Sequence, residues 1–99
     1  MTDAAKVLIA DASKLARSMT ERLVKKIQPY TEVITADSVA KAIEKLETNR
    51  VDLILSALRL PDADGTKICE YARENHHYLP VIIISGSVDA RLKDRILSS

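Results

Sequence analysis

The sequence contains few of the residues that build specialised sites. It has no Phe or Trp, three Tyr, two Gly and one Cys among 99 residues. Its core must therefore be aliphatic, and a single cysteine excludes an internal disulfide. Two glycines, at positions 65 and 86, cannot supply the Gly-rich phosphate loops of dinucleotide-binding proteins or P-loop enzymes. Both classes are excluded.

Charge and hydropathy exclude further classes. Fifteen basic residues nearly balance fourteen acidic ones, so no overall field favours nucleic acid or anionic lipid. No apolar run approaches the roughly 20 residues that cross a bilayer, and the N-terminus lacks a signal-peptide core. We predict one cytoplasmic domain that binds neither nucleic acid nor membrane.

What the sequence does contain is an alternation of two periodicities. Short, β-branched apolar runs indicate strands at 7–10, 31–36, 51–56 and 81–84. Each is followed by apolar residues at helical spacing. In the first helix an apolar residue recurs every fourth position, which predicts a buried face. Those four residues are Leu15, Met19, Leu23 and Ile27.

The order β-α-β-α-β-α-β-α predicts a doubly wound parallel α/β sheet with right-handed crossovers. Ligands of such sheets bind beyond the carboxyl ends of the strands. The segments 11–13, 56–59 and 85–87 should therefore converge on one pocket.

Three segments resemble the receiver domain of response regulators. KVLIADASKLARSM is similar to the family's first strand and helix, where the strand usually ends in Asp-Asp-Ser. DLILSALRLPDADG is similar to its third strand and the Pro-x-x-Asp-Gly turn, and PVIIISG to its fourth strand. The resemblance covers the whole chain. It implies the flavodoxin-like strand order 2-1-3-4, with residues 1–99 ending after helix 4, before the family's fifth strand and helix.

The resemblance also implies a site. The family's phosphoacceptor aspartate falls on Ala57, and its pair of metal-binding acids on Asp11 and Ala12. The carbonyl ligand of Mg²⁺ falls on Arg59. Ser85 and Gly86 match the hydroxyl residue that contacts the phosphoryl group and its small neighbour.

These matches predict that the chain has lost the family's phosphorylation chemistry. A methyl group at position 57 cannot form an acyl phosphate. Mg²⁺ is usually held through one or two carboxylates, so Asp11 with the Arg59 carbonyl should form only a weak or vestigial site. We expect no cofactor and no enzymatic activity. Asp11 could equally be a turn or cap residue of the first helix.

Two functional hypotheses remain. The first is a pseudo-receiver that binds a sensor histidine kinase or an output domain without being phosphorylated. The second is a Mg²⁺-dependent phosphorelay receiver whose acids at 12 and 57 were replaced by alanine; the native residue at 57 distinguishes them. A looser resemblance, of residues 59–65 and 85–89, is to receivers that precede a diguanylate cyclase or a second receiver. The apolar fourth strand forms an edge in this order. We therefore expect a longer chain, or a homodimer through strand 4 and helix 4.

Overall fold

Four parallel strands form one sheet between two layers of helices. The computed structural model describes residues 4–75 and 79–84. Along the chain the elements are β1 (Lys6–Ala10), α1 (Lys14–Ile27), β2 (Glu32–Ala36), α2 (Val39–Thr48), β3 (Leu53–Ala57), α3 (Thr66–Asn75) and β4 (Val81–Ile84). The strand order is β2-β1-β3-β4, which confirms the predicted doubly wound sheet. The predicted fourth helix lies outside the described residues.

The helices begin where the sequence offers caps. The Ser13 hydroxyl accepts a hydrogen bond from the Ala16 N–H at 3.1 Å at the start of α1. Ser38 does the same for Lys41 at the start of α2. Each cap satisfies an N–H group that has no partner within its helix.

The strand register shows which side chains share a face of the sheet. Leu8 lies beside Ile54, and Ile54 beside Val81. Parallel partners point to the same face, and this face packs against α2 and α3. The helices contribute Val39, Ala42, Leu46, Ile68 and Ala72, all buried. This packed face forms the main hydrophobic core.

The α1 face differs from the prediction. Leu15, Met19, Leu23 and Ile27 are 58 to 74% exposed, so the expectation that this stripe is buried was wrong. We call these four residues the α1 stripe. The sheet beneath α1 is covered, because Val7 and Ile9 are buried.

The exposed surface continues onto β4. Ile82 and Ile84 alternate with the partly buried Val81 and Ile83 and are 51% and 42% exposed. Ile82 pairs with Leu55, which pairs with Ile9, so both exposed isoleucines point to the α1 face. Among the described residues, this face of β4 lacks the cover expected of a buried parallel strand.

Candidate functional site

Ala57 is the last residue of β3 and is 6% exposed. Its side chain ends in a methyl group, so the strand end offers no nucleophile. Ser56 is 1% exposed, and its hydroxyl donates to the Ala57 carbonyl oxygen at 2.9 Å. Strand residues alternate in direction, so Ser56 points away from the Ala57 side. It cannot replace the missing nucleophile.

Asp11 follows β1, and its side chain hydrogen-bonds to the neighbouring backbone. Its Oδ1 accepts a hydrogen bond from the Ser13 N–H at 2.9 Å, forming the turn that leads into α1. Arg17 closes the same turn, because its Nη1 donates to the carbonyl oxygens of Asp11 at 2.6 Å and Ala12 at 3.3 Å. Asp11 is thus a turn residue at the start of α1 in the structure, and its role as a residual metal ligand stays a prediction.

These residues do not fit a divalent cation. Ala12 and Ala57 contribute no oxygen ligand from their side chains, and one Asp11 oxygen is already hydrogen-bonded. Over residues 4–75 and 79–84, no group of three His, Cys, Asp or Glu side chains could hold a metal ion. Arg59 lies in the turn after β3, bridged to Asp64, and its role as a carbonyl ligand stays a prediction. Ser85 and Gly86 lie outside the described residues.

Gly65 explains how the turn after β3 packs. A Cβ at this position would overlap the Ala57 carbonyl oxygen and lie 2.6 Å from the Ser56 Oγ. The Gly65 N–H donates to the Leu58 carbonyl oxygen at 2.7 Å. Only glycine allows α3 to begin this close to the end of β3. The glycine of the Asp-Gly pair in the sequence pattern is therefore required because a larger side chain does not fit there.

Asp62 joins the turn after β3 to α2. Its Oδ1 accepts from the Val39 N–H and its Oδ2 from the Ala40 N–H, both at 2.9 Å. These hydrogen bonds, that from Ala40 first, hold the pKa of Asp62 below its ordinary value. The sequence predicted a turn or cap residue here. It contained no signal that the capped helix starts 23 residues earlier.

Comparison with known proteins assigns the family. Residues 7–99 match the response regulator receiver domain model. Protein PilG of Pseudomonas aeruginosa is 32% identical over 103 residues, which cover 99% of this chain and 74% of PilG. The chain therefore belongs to the response regulator receiver family, whose members take part in two-component signalling.

Solved structures agree on the fold. The chemotaxis response regulator CheY4 of Vibrio cholerae superposes with a TM-score of 0.76 at 24% identity, over 96% of this chain and 79% of CheY4. A receiver protein from Pseudomonas putida gives 0.77 at 19% identity, over 99% and 81% of the two chains. This confirms the CheY-like strand order.

Some relatives are much longer. The cyclic di-GMP phosphodiesterase response regulator RpfG of Xanthomonas campestris is 27% identical over 95 residues. That match covers 94% of this chain but 25% of RpfG. This chain thus spans about a quarter of the length of that relative. In the described part of this chain, no helix is both long and apolar enough to cross a membrane.

Proposed function

We propose that this receiver domain transmits signals in the cytoplasm by binding partner proteins, without being phosphorylated itself. The observation that carries the proposal is the alanine at the end of β3, where the family places its phosphoacceptor. Phosphoryl transfer depends on positioning and on neutralising the charge of the transferred group. Here the nucleophile and one acid of the metal pair are both replaced by methyl groups.

Ligand binding tests this proposal. We expect calorimetric titration of the 99-residue chain to show binding of neither Mg²⁺ nor beryllofluoride. The matched variant carries Ala12→Asp and Ala57→Asp and should gain Mg²⁺ binding, because it presents three carboxylates. Mg²⁺ binding by the unaltered chain, tighter than about millimolar, would contradict the proposal.

The same variant examines the second hypothesis, a phosphorelay receiver whose acids were replaced. If the double variant binds both Mg²⁺ and beryllofluoride, the pocket has kept its shape. The native residue at position 57 then decides between the hypotheses. An aspartate there favours the phosphorelay receiver, and an alanine favours the pseudo-receiver.

The α1 stripe is the surface that we propose for a histidine kinase. Its four apolar side chains are exposed on one helix. The helix carries five basic residues and one acidic residue, Glu21, so its net charge is +4. An amphipathic helix with acidic flanks complements both features.

A substitution on the stripe tests the docking surface. Leu23→Glu places a carboxylate in the middle of an apolar contact and should abolish binding. The control is Lys67→Ala, an exposed position on α3. A panel of histidine-kinase helical domains from the same organism, measured by biolayer interferometry, provides the partners. Equal binding by Leu23→Glu and the unaltered chain would exclude the stripe.

The exposed face and the open edge of β4 together form the surface that we propose for a second copy of the chain. Ile82 and Ile84 are exposed there, and residues 81–84 include no charge or proline that would blunt an edge. Sedimentation velocity at micromolar concentration tests the homodimer. A dimer that Ile82→Lys dissociates supports the proposal, whereas a monomer at all concentrations contradicts it.

In a longer protein we propose an output domain of cyclic di-GMP turnover, such as a diguanylate cyclase. Support comes from the loose resemblance of the turn after β3 and from RpfG, whose name describes a cyclic di-GMP phosphodiesterase. The sequence that follows residue 99 in the native gene tests this proposal. A DNA-binding domain there would contradict it.

A further inference from the structure

A basic cleft lies beside the sheet edge formed by β2, and Ala57 is not among its lining residues. It has a volume of about 290 Å³ and opens between α1 and α2. A volume of this size accommodates about ten water molecules, at the volume each occupies in the liquid. Its lining residues are Arg17, Thr35, Ala36, Asp37, Lys41 and Lys45.

Arg17 is held in place without using all its donors. Its Nη1 donates to two carbonyl oxygens of the Asp11–Ala12 turn. A guanidinium has five N–H groups, of which Nη1 carries two. Among residues 4–75 and 79–84, the three N–H donors on Nε and Nη2 have no hydrogen-bond partner, so they remain for a ligand. The fixed position lowers the entropic cost of binding an anion.

Two lysines face the cleft from α2. Lys41 and Lys45 are four residues apart and therefore neighbours on one helix surface. The Lys41 ammonium lies 3.7 Å from Glu44. Within the described ranges the Lys45 ammonium has no ion pair, and its side chain is partly buried. Asp37 is the carboxylate that lines the cleft, so three cations face one anion.

We propose that this cleft binds a small phosphorylated anion of about the size of a diphosphate. The excess of positive charge selects the sign of the ligand, and the Arg17 fork matches phosphate oxygens. The Thr35 hydroxyl supplies a further donor. This site goes beyond the proposed function, because it gives a domain without a phosphoacceptor a way to sense phosphate groups.

Titration with inorganic pyrophosphate tests the site. We expect saturable binding by calorimetry, with amide shift changes in NMR spectra confined to the residues around the cleft. Lys45→Ala and Lys41→Ala should each weaken binding by about fivefold, the effect of losing one exposed ion pair. Raising the salt concentration should weaken it further. The control, Lys67→Ala, removes a cation on α3 that lies outside the cleft.

Three results would overturn the proposal. The first is no binding of pyrophosphate at low ionic strength. The second is equal affinity in the unaltered chain and Lys45→Ala. The third is an equal loss of affinity in Lys67→Ala and Lys45→Ala, which would show general attraction to positive charge.

Discussion

The two faces of the sheet are built from similar residues but have different exposures. On one face, α2 and α3 bury Ala42, Leu46 and Ile68 against the strands. On the other, α1 carries an equally regular apolar stripe, and none of its residues is fully buried. Apolar periodicity therefore shows that a helix has an apolar face, and the packing alone shows whether the chain itself covers it. A face left exposed is available for a partner.

Truncating one apolar side chain on each face should give the largest difference in stability between the two faces. Ile68→Ala removes a fully buried side chain and should cost about 2–5 kcal/mol of unfolding free energy, from lost burial and the cavity left behind. Leu23→Ala on the α1 stripe should stay within about 0.5 kcal/mol. Chemical denaturation measures both. Similar losses would mean that the α1 stripe is buried in solution.

Gly65→Ala should have the next largest effect, because it acts on the packed face through the backbone. The added methyl group overlaps the Ala57 carbonyl oxygen, so α3 must shift away from β3. We expect a loss of about 1–3 kcal/mol, as for overpacked sites. Thr66→Ala, at the adjacent exposed position, is the control for denaturation measurements. Unaltered stability of Gly65→Ala would show that the turn after β3 relaxes freely.

The sequence predicted more of the packed face than of the exposed one. The range 81–84 of β4 was predicted with the observed bounds, since a short run of apolar, β-branched residues defines it. The substitution at Ala57 followed from the family pattern. The exposure of Leu23, the cap that Asp62 provides and the Arg17 cleft depend on contacts between distant segments. Such contacts leave no periodic signal.

Restoring both acids should destabilise the site where the sheet ends. Ala12→Asp with Ala57→Asp places three carboxylates together and buries one at the end of β3. Without Mg²⁺ we expect a lower melting temperature and a loss of about 1.4 kcal/mol of unfolding free energy, the energy that corresponds to a pKa perturbation of one unit. Excess Mg²⁺ should restore part of it. An equal or higher melting temperature in scanning calorimetry would contradict the expected repulsion.

Asp62→Asn should have the smallest effect and a distinctive pH dependence. The lowered pKa of Asp62 means that its charged form favours the folded state. Its contribution is present above the ordinary value of 3.8 and is lost as the pH falls through the lowered folded value. The unaltered chain should thus melt slightly higher than the variant at neutral pH. If the difference in melting temperature persists at lower pH, it comes from the changed shape of the side chain and not from its charge.

Phosphoryl incorporation tests the central claim most directly. The chain is incubated with acetyl phosphate and excess Mg²⁺ and analysed by intact-mass spectrometry, with the Ala12→Asp and Ala57→Asp double variant alongside. Since Ala57 cannot form an acyl phosphate, we predict that the mass of the unaltered chain does not change. An added phosphoryl group on the unaltered chain would contradict a receiver domain that signals through its surfaces alone.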